Sequence, residues 1–157
     1  MSTIEAKLEE LGLTLPEVAT PAGAYIPAIR SGDHVYTSGQ LPLVEGKLSA
    51  TGKLGGELSV EDGYAAARTA ALNCLAAIKS VIGDLDRIEQ VVKVTGFVAS
   101  TPDFTGQPKV INGASELLGE VFGDKGVHAR SAVGMAALPL DTPVEVEMIV
   151  RVAGDAA

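Results

Sequence analysis

Apolar positions recur along the chain with two different periods, and the switches between them mark out the elements. Ile4, Leu8 and Leu11 form one stripe of a short helix. Ser2-Thr3-Ile4-Glu5 has capping-box spacing ahead of it, with Ser2 as N-cap and Glu5 reaching back to the Ser2 amide, and Gly12 ends it. Tyr25–Ile29 and His34–Thr37 read as short strands around the turn Arg30-Ser31-Gly32-Asp33, and Gly46 and Gly52 punctuate a polar hairpin or loop. The clearest signal predicts a helix from about Val60 to Ile82, capped by Ser59 and stopped at Gly83. Its buried face is Ala71, Cys74, Leu75, Ile78, Val81 and Ile82, and its many alanines suit close packing on a sheet. Val91–Ala99 reads as a strand. A second helix lies within about Pro108–Phe122, where Asn112-Gly113 is a poor helical pair that either starts the helix or has a local job. Two strands close the chain, from about Arg130 to Leu138 and over Val144–Val152. In the last one Val144, Val146, Met148, Val150 and Val152 make an unbroken core face.

The order is strands, helix, strand, helix, strand, strand, which predicts an α+β domain over residues 24–154 preceded by an N-terminal helix and connector over 1–23. Two long helices cover only one face of such a sheet. Arg130 opens its strand on the face away from the helices, and that face carries Ala132, Gly134, Ala136 and Ile149 with isolated charges. This mixture is too apolar for solvent, so a symmetric homo-oligomer is expected to cover it. Pro139–Pro143 is too short for a parallel crossover, so the last two strands run antiparallel. Arg130 and Glu145, which begin them, then sit about 20 Å apart at ~3.3 Å per residue, and a site using both needs two chains.

Composition narrows the classes. The chain has 157 residues, 46% hydrophobic and 20% charged, enough for one core without disulfides. A single cysteine, Cys74, and two histidines, His34 and His128, leave little for a metal site, and no cofactor motif is present. Twelve Lys and Arg against 20 Asp and Glu give a net charge of -8, a field that repels nucleic acid and anionic membranes. The chain reads as a soluble cytoplasmic protein, with no membrane span and no targeting segment expected.

Few residues stand out for chemistry. Arg130 has small neighbours, Ala129, Ser131 and Ala132, that leave room beside a guanidinium fork suited to a carboxylate, although an ion pair with Glu147 or Asp141 explains it equally well. Glu145 and Glu147 share the non-core face of the last strand. Ser38-Gly39-Gln40 follows a strand, and Gly39 permits close backbone approach of a ligand. There is no nucleophile elbow for Ser38. Tyr25 reads as a core aromatic with its hydroxyl at a rim, Cys74 as a buried thiol, and His128 as a solvated loop histidine.

These residues carry a family likeness. His128-Ala129-Arg130-Ser131-Ala132-Val133, then Leu138-Pro139 and Val144-Glu145-Val146-Glu147, resemble the closing signature of the RidA/YjgF family of enamine/imine deaminases, once labelled L-PSP endoribonucleases. Tyr36-Thr37-Ser38-Gly39-Gln40-Leu41-Pro42 is similar to that family's motif ahead of the first long helix, and the likeness runs from about Tyr25 to Val152. It implies a chorismate-mutase-like fold, a six-stranded mixed β-sheet with two long helices on one face, here with a short extra N-terminal helix. It also implies a homotrimer with clefts between subunits and no cofactor. The resemblance makes Arg130 the carboxylate-binding arginine and Glu145 the water-positioning glutamate. Tyr25, Ser38, Gly39 and Asn112 become cleft residues, and the Ala132 backbone lines the same cleft. Ala132 stands where cysteine is frequent in the family, and an insertion precedes Asn112. The activity implied is hydrolysis of small 2-imino acids to 2-keto acids and ammonia. The alternatives are a non-catalytic binder of small carboxylates in the same cleft and, less well matched to the acidic charge, a ribonuclease.

Overall fold

The computed structural model describes residues 2–154. Helix α1 (Thr3–Glu10) is capped by the Ser2 hydroxyl, which accepts the Glu5 amide at 3.0 Å. The Glu5 carboxylate bonds back to Ser2, as the spacing predicts, and also pairs with Lys79, while the Asp86 carboxylate accepts the Thr3 and Ile4 amides. Strands β1 (Ala28–Ser31) and β2 (His34–Thr37) form a hairpin, followed by a two-residue turn at Glu45-Gly46 between β3 (Leu43–Val44) and β4 (Lys47–Leu48). Both turn residues have positive φ, as a tight hairpin of this hand requires.

Helix α2 (Val60–Ile82) matches the predicted span, and Ser59 and Asp62 close a reciprocal capping box at its start. By length and composition it would pass for a membrane span, but 67% of its most apolar stretch is buried in this chain, as in a core helix. Six of its alanines (66, 67, 70, 71, 76 and 77) are buried, so its backbone lies close to the sheet. Strand β5 (Ile88–Ala99) leads to helix α3 (Gln107–Phe122), then β6 (Ala129–Met135) and β7 (Val144–Val152).

The sheet order is β1-β2-β7-β5-β6, with β5–β6 the parallel pair and the others antiparallel. The sheet therefore has five strands rather than six, because β3 and β4 pair only with each other. The last two strands do run antiparallel, but β5 lies between them. Val144, Val146, Met148 and Val150 of β7 are buried under the helices, as their alternation predicts.

On β6 the two faces are the reverse of those expected. Arg130, Ala132 and Gly134 stand opposite Val94, Gly96 and Val98, so they lie on the helix side. Ser131, Val133 and Met135 face outward instead, and Ala136 lies beyond the strand. The pattern misled because the more apolar alternate residues of this edge strand, Val133 and Met135, lie on the open face, while the helix side carries Arg130 and the small Ala132 and Gly134. The uncovered face is consequently more apolar than expected. Ile29 is 55% exposed, Tyr36 41%, Val133 43% and Met135 36%, beside Phe97, Glu145, Glu147 and Ile149.

Candidate active site in two halves

Glu145 sits one residue into β7, opposite Phe97, on the open face. Backbone bonds between Gln40 and Val146, 2.8 and 3.0 Å, draw the segment after β2 against it. Gly39 then lies under the Glu145 side chain: a Cβ built there would stand 2.6 Å from Oε1. Ser38 is anchored by its amide to the Pro27 carbonyl (2.8 Å), and its hydroxyl donates to the Ile26 carbonyl at 2.6 Å. That fixes the backbone next to Tyr25, whose ring is 52% exposed and whose hydroxyl accepts the Ala22 amide at 3.4 Å. Burial, and secondarily the charge of Glu147, pushes the Glu145 carboxyl above the ordinary glutamate value. Ser38, Gly39 and Glu145 thus form one cluster, with Tyr25 on its flank.

Arg130 belongs to a second cluster. Its partners are neither Glu147 nor Asp141: Nη1 donates to Asn112 Oδ1 at 2.7 Å and to Ser115 Oγ at 3.2 Å. Ser115 Oγ lies 2.9 Å from His128 Nε2, and His128 Nδ1 lies 2.6 Å from the Gly126 carbonyl oxygen. These side chains line an open cavity of about 330 Å³ between the end of α3 and the start of β6. Ala132 follows Arg130 on the same face. Asn112 and Gly113 lie inside α3, one turn past its start, and their local jobs differ. Asn112 holds Arg130, while Gly113 lets the helix touch the Tyr64 carbonyl of α2, where a Cβ would fall far inside contact distance.

Ser115, which no sequence motif marks, belongs to this network, and His128 is half-buried in it rather than solvated as expected. The signal was present: Asn112 and Ser115 are three apart on a helix, and His128 and Arg130 are two apart on an extended segment.

The two clusters do not meet within one chain. Arg130 stands level with Val94 and Glu145 with Phe97, on opposite faces of the sheet. Three residues along the strand and two strand spacings across put their backbones about 14 Å apart, less than the 20 Å expected, because β6 starts midway along β5. A larger cavity, about 580 Å³, lies between α1, the chain after it and α2, but none of the sequence-derived site residues lines it. Its one cation, Lys79, is paired with Glu5, so the Arg130 cavity is the better equipped for chemistry. Among the described residues no three His, Cys, Asp or Glu side chains are placed to hold a metal ion. Cys74 is no nucleophile, since full burial pushes its thiol up to about 12.

A mixed sheet backed on one face by two long helices, with a polar cluster on each side of it, defines an α+β protein of the chorismate-mutase-like type. Residues 5–152 match the family model described as "YjgF/chorismate_mutase-like, putative endoribonuclease", and the chain belongs to that family. The match takes in most of α1, further toward the N-terminus than the motifs reached. The chain is 46% identical over 149 residues to Protein TCP17 of Trypanosoma cruzi, covering 94% of this chain and 93% of the relative. It superposes on the crystal structure of Atu1372 from Agrobacterium tumefaciens, a protein of unknown function, with a TM-score of 0.90 and 47% identity, covering 96% and 93% of the two chains. It is 30% identical to a 2-iminobutanoate/2-iminopropanoate deaminase of Dermatophagoides farinae over 139 residues, 88% of this chain and 93% of that one.

Proposed function

We propose that the protein hydrolyses small 2-imino acids to 2-keto acids and ammonia, in clefts that two neighbouring copies of the chain build together. The observation that carries this reading is the pairing of a guanidinium anchored through one nitrogen with a carboxyl of raised pKa on the opposite face of the same sheet. Arg130 of one copy holds the substrate carboxylate and so fixes the imine carbon. Glu145 of the next copy takes a proton from water as the water oxygen bonds to that carbon and the C=N electron pair moves to nitrogen. The proton then passes to the nitrogen of the carbinolamine. The hydroxyl proton then passes, through Glu145 or water, to the amino nitrogen as the C–N bond breaks, so that ammonia leaves and the oxygen becomes the keto oxygen. The imine is already electrophilic, so the scheme needs no cofactor. The exposed Ile29, Tyr36, Val133 and Met135 supply the apolar surface for the assembly, which the family resemblance makes a trimer.

The test is to generate 2-imino acids from a panel of amino acids with an amino-acid oxidase and follow ammonia release. Wild type is expected to accelerate release, and Arg130→Ala to lose that acceleration by roughly 100-fold or more, as removal of a positioning ion pair from a reacting complex does. Turnover retained in Arg130→Ala overturns the assignment. A wild type that binds 2-keto acids yet accelerates no imine is a carboxylate-binding protein instead.

A further inference from the structure

Ser115 and His128 have no part in the reaction above, yet their hydrogen bonds determine how Arg130 is presented. The Gly126 carbonyl can only accept, so His128 Nδ1, 2.6 Å away, carries the ring proton. With Nδ1 carrying the one proton of a neutral imidazole, Nε2 is an acceptor, and Ser115 Oγ at 2.9 Å is the hydroxyl that donates to it. A hydroxyl has one hydrogen. With that hydrogen committed to His128, Ser115 meets Arg130 as an acceptor only, which suits a guanidinium that only donates. Asn112 must likewise turn its oxygen, not its amide nitrogen, toward Arg130. Nη1 has two hydrogens, and Asn112 and Ser115 accept both. Among the described residues Nε and Nη2 have no acceptor, so one edge of the fork is anchored and the other is free.

We infer that Ser115 and His128 are positioning residues. They lock the Arg130 guanidinium so that its Nε/Nη2 edge takes the carboxylate of a 2-imino or 2-keto acid side-on, in a two-pronged grip. The chain of bonds runs from the Gly126 backbone through His128 and Ser115 to Nη1, and the Asn112 contact one helical turn away closes the other side. Without it the guanidinium turns about its last bonds, and the free edge is presented only part of the time. The inference rests on the reading of Arg130 as a carboxylate receptor, and its consequences separate from that reading.

Four variants and three measurements, guanidinium rotation, 2-oxobutanoate affinity and imine kinetics, test it. His128→Leu removes the acceptor, and His128→Gln returns an oxygen near the place of Nε2. Ser115→Ala removes the hydroxyl, and Ser115→Thr keeps it. In the ligand-free protein, nuclear magnetic resonance of the Arg130 Nε–H group reports guanidinium rotation, and titration with 2-oxobutanoate reports carboxylate affinity. His128→Leu and Ser115→Ala are expected to speed the rotation and weaken 2-oxobutanoate binding about tenfold, the size of one lost hydrogen bond to a charged group. KM for imine rises by a similar factor while kcat stays within about threefold. His128→Gln and Ser115→Thr are expected to restore both readouts. Unchanged rotation and affinity in His128→Leu overturn the inference, as does a His128→Gln as impaired as His128→Leu, which marks a packing role. A wild type that binds no 2-oxobutanoate overturns the carboxylate reading, and the rotation measurement still decides whether the relay exists.

Discussion

Glu145 is the residue whose environment says most about its use. Its carboxyl is pushed up chiefly by burial, so the folded chain favours the protonated form. The stabilising contribution of that proton is present at low pH and is lost as pH rises through the raised value. Activity that needs the carboxylate runs the other way: kcat/KM is expected to rise with pH across a limb lying above the ordinary glutamate value of 4.5. Glu145→Gln is expected to lower kcat about 100-fold or more, in the range for a lost general base, and to leave Tm at pH 7 unchanged or higher. Kinetics and thermal melts on one preparation check both signs. Gly39→Ala tests the contact from the other side. Its Cβ would stand 2.6 Å from Glu145 Oε1, the mobile end of a side chain, so the fold adjusts while the carboxylate is displaced. The expected outcome is about a tenfold fall in kcat with an unchanged denaturation midpoint, because a small misplacement of a reacting group is costly.

At the scale of elements, the α2–α3 contact decides how firmly Arg130 is held. Gly113 lets α3 approach the Tyr64 carbonyl so closely that any side chain must part the helices. Gly113→Ala is expected to destabilise the fold by roughly 3 kcal/mol despite the better helix propensity of alanine, and urea denaturation measures it. The two helices and β7 were legible because each repeats its period over many residues: Val60–Ile82 ends where its Ser59 cap and Gly83 stop indicated. Helix α3 was harder to bound, since the Asn112-Gly113 pair that looks like a break is placed there by the neighbouring helix and by Arg130. The face of β6 was not legible at all. The strand's larger apolar residues, Val133 and Met135, lie on the open face and not under the helices, and only pairing with β5 shows this.

At the scale of the whole molecule, the open sheet face and the split site point to the same assembly. Val133 and Met135 on β6 and Ile29 and Tyr36 on the hairpin leave a broad apolar surface around Glu145. Under the proposed assembly and activity, Val133→Asp is expected to leave single chains of 16.0 kDa and to abolish turnover; sedimentation velocity alongside the imine assay checks this. By itself the sequence determined the element types, the core face of β7, the family likeness, and the candidacy of Arg130 and Glu145. All of these are local patterns, written in neighbours a few residues apart. Which strand lies between β6 and β7, which side of the sheet Arg130 takes, and the meeting of Ser115 and His128 beside it were decided by the tertiary structure alone. Strand order and register are set by packing between residues far apart in sequence, and a one-residue change of register carries every side chain to the other face.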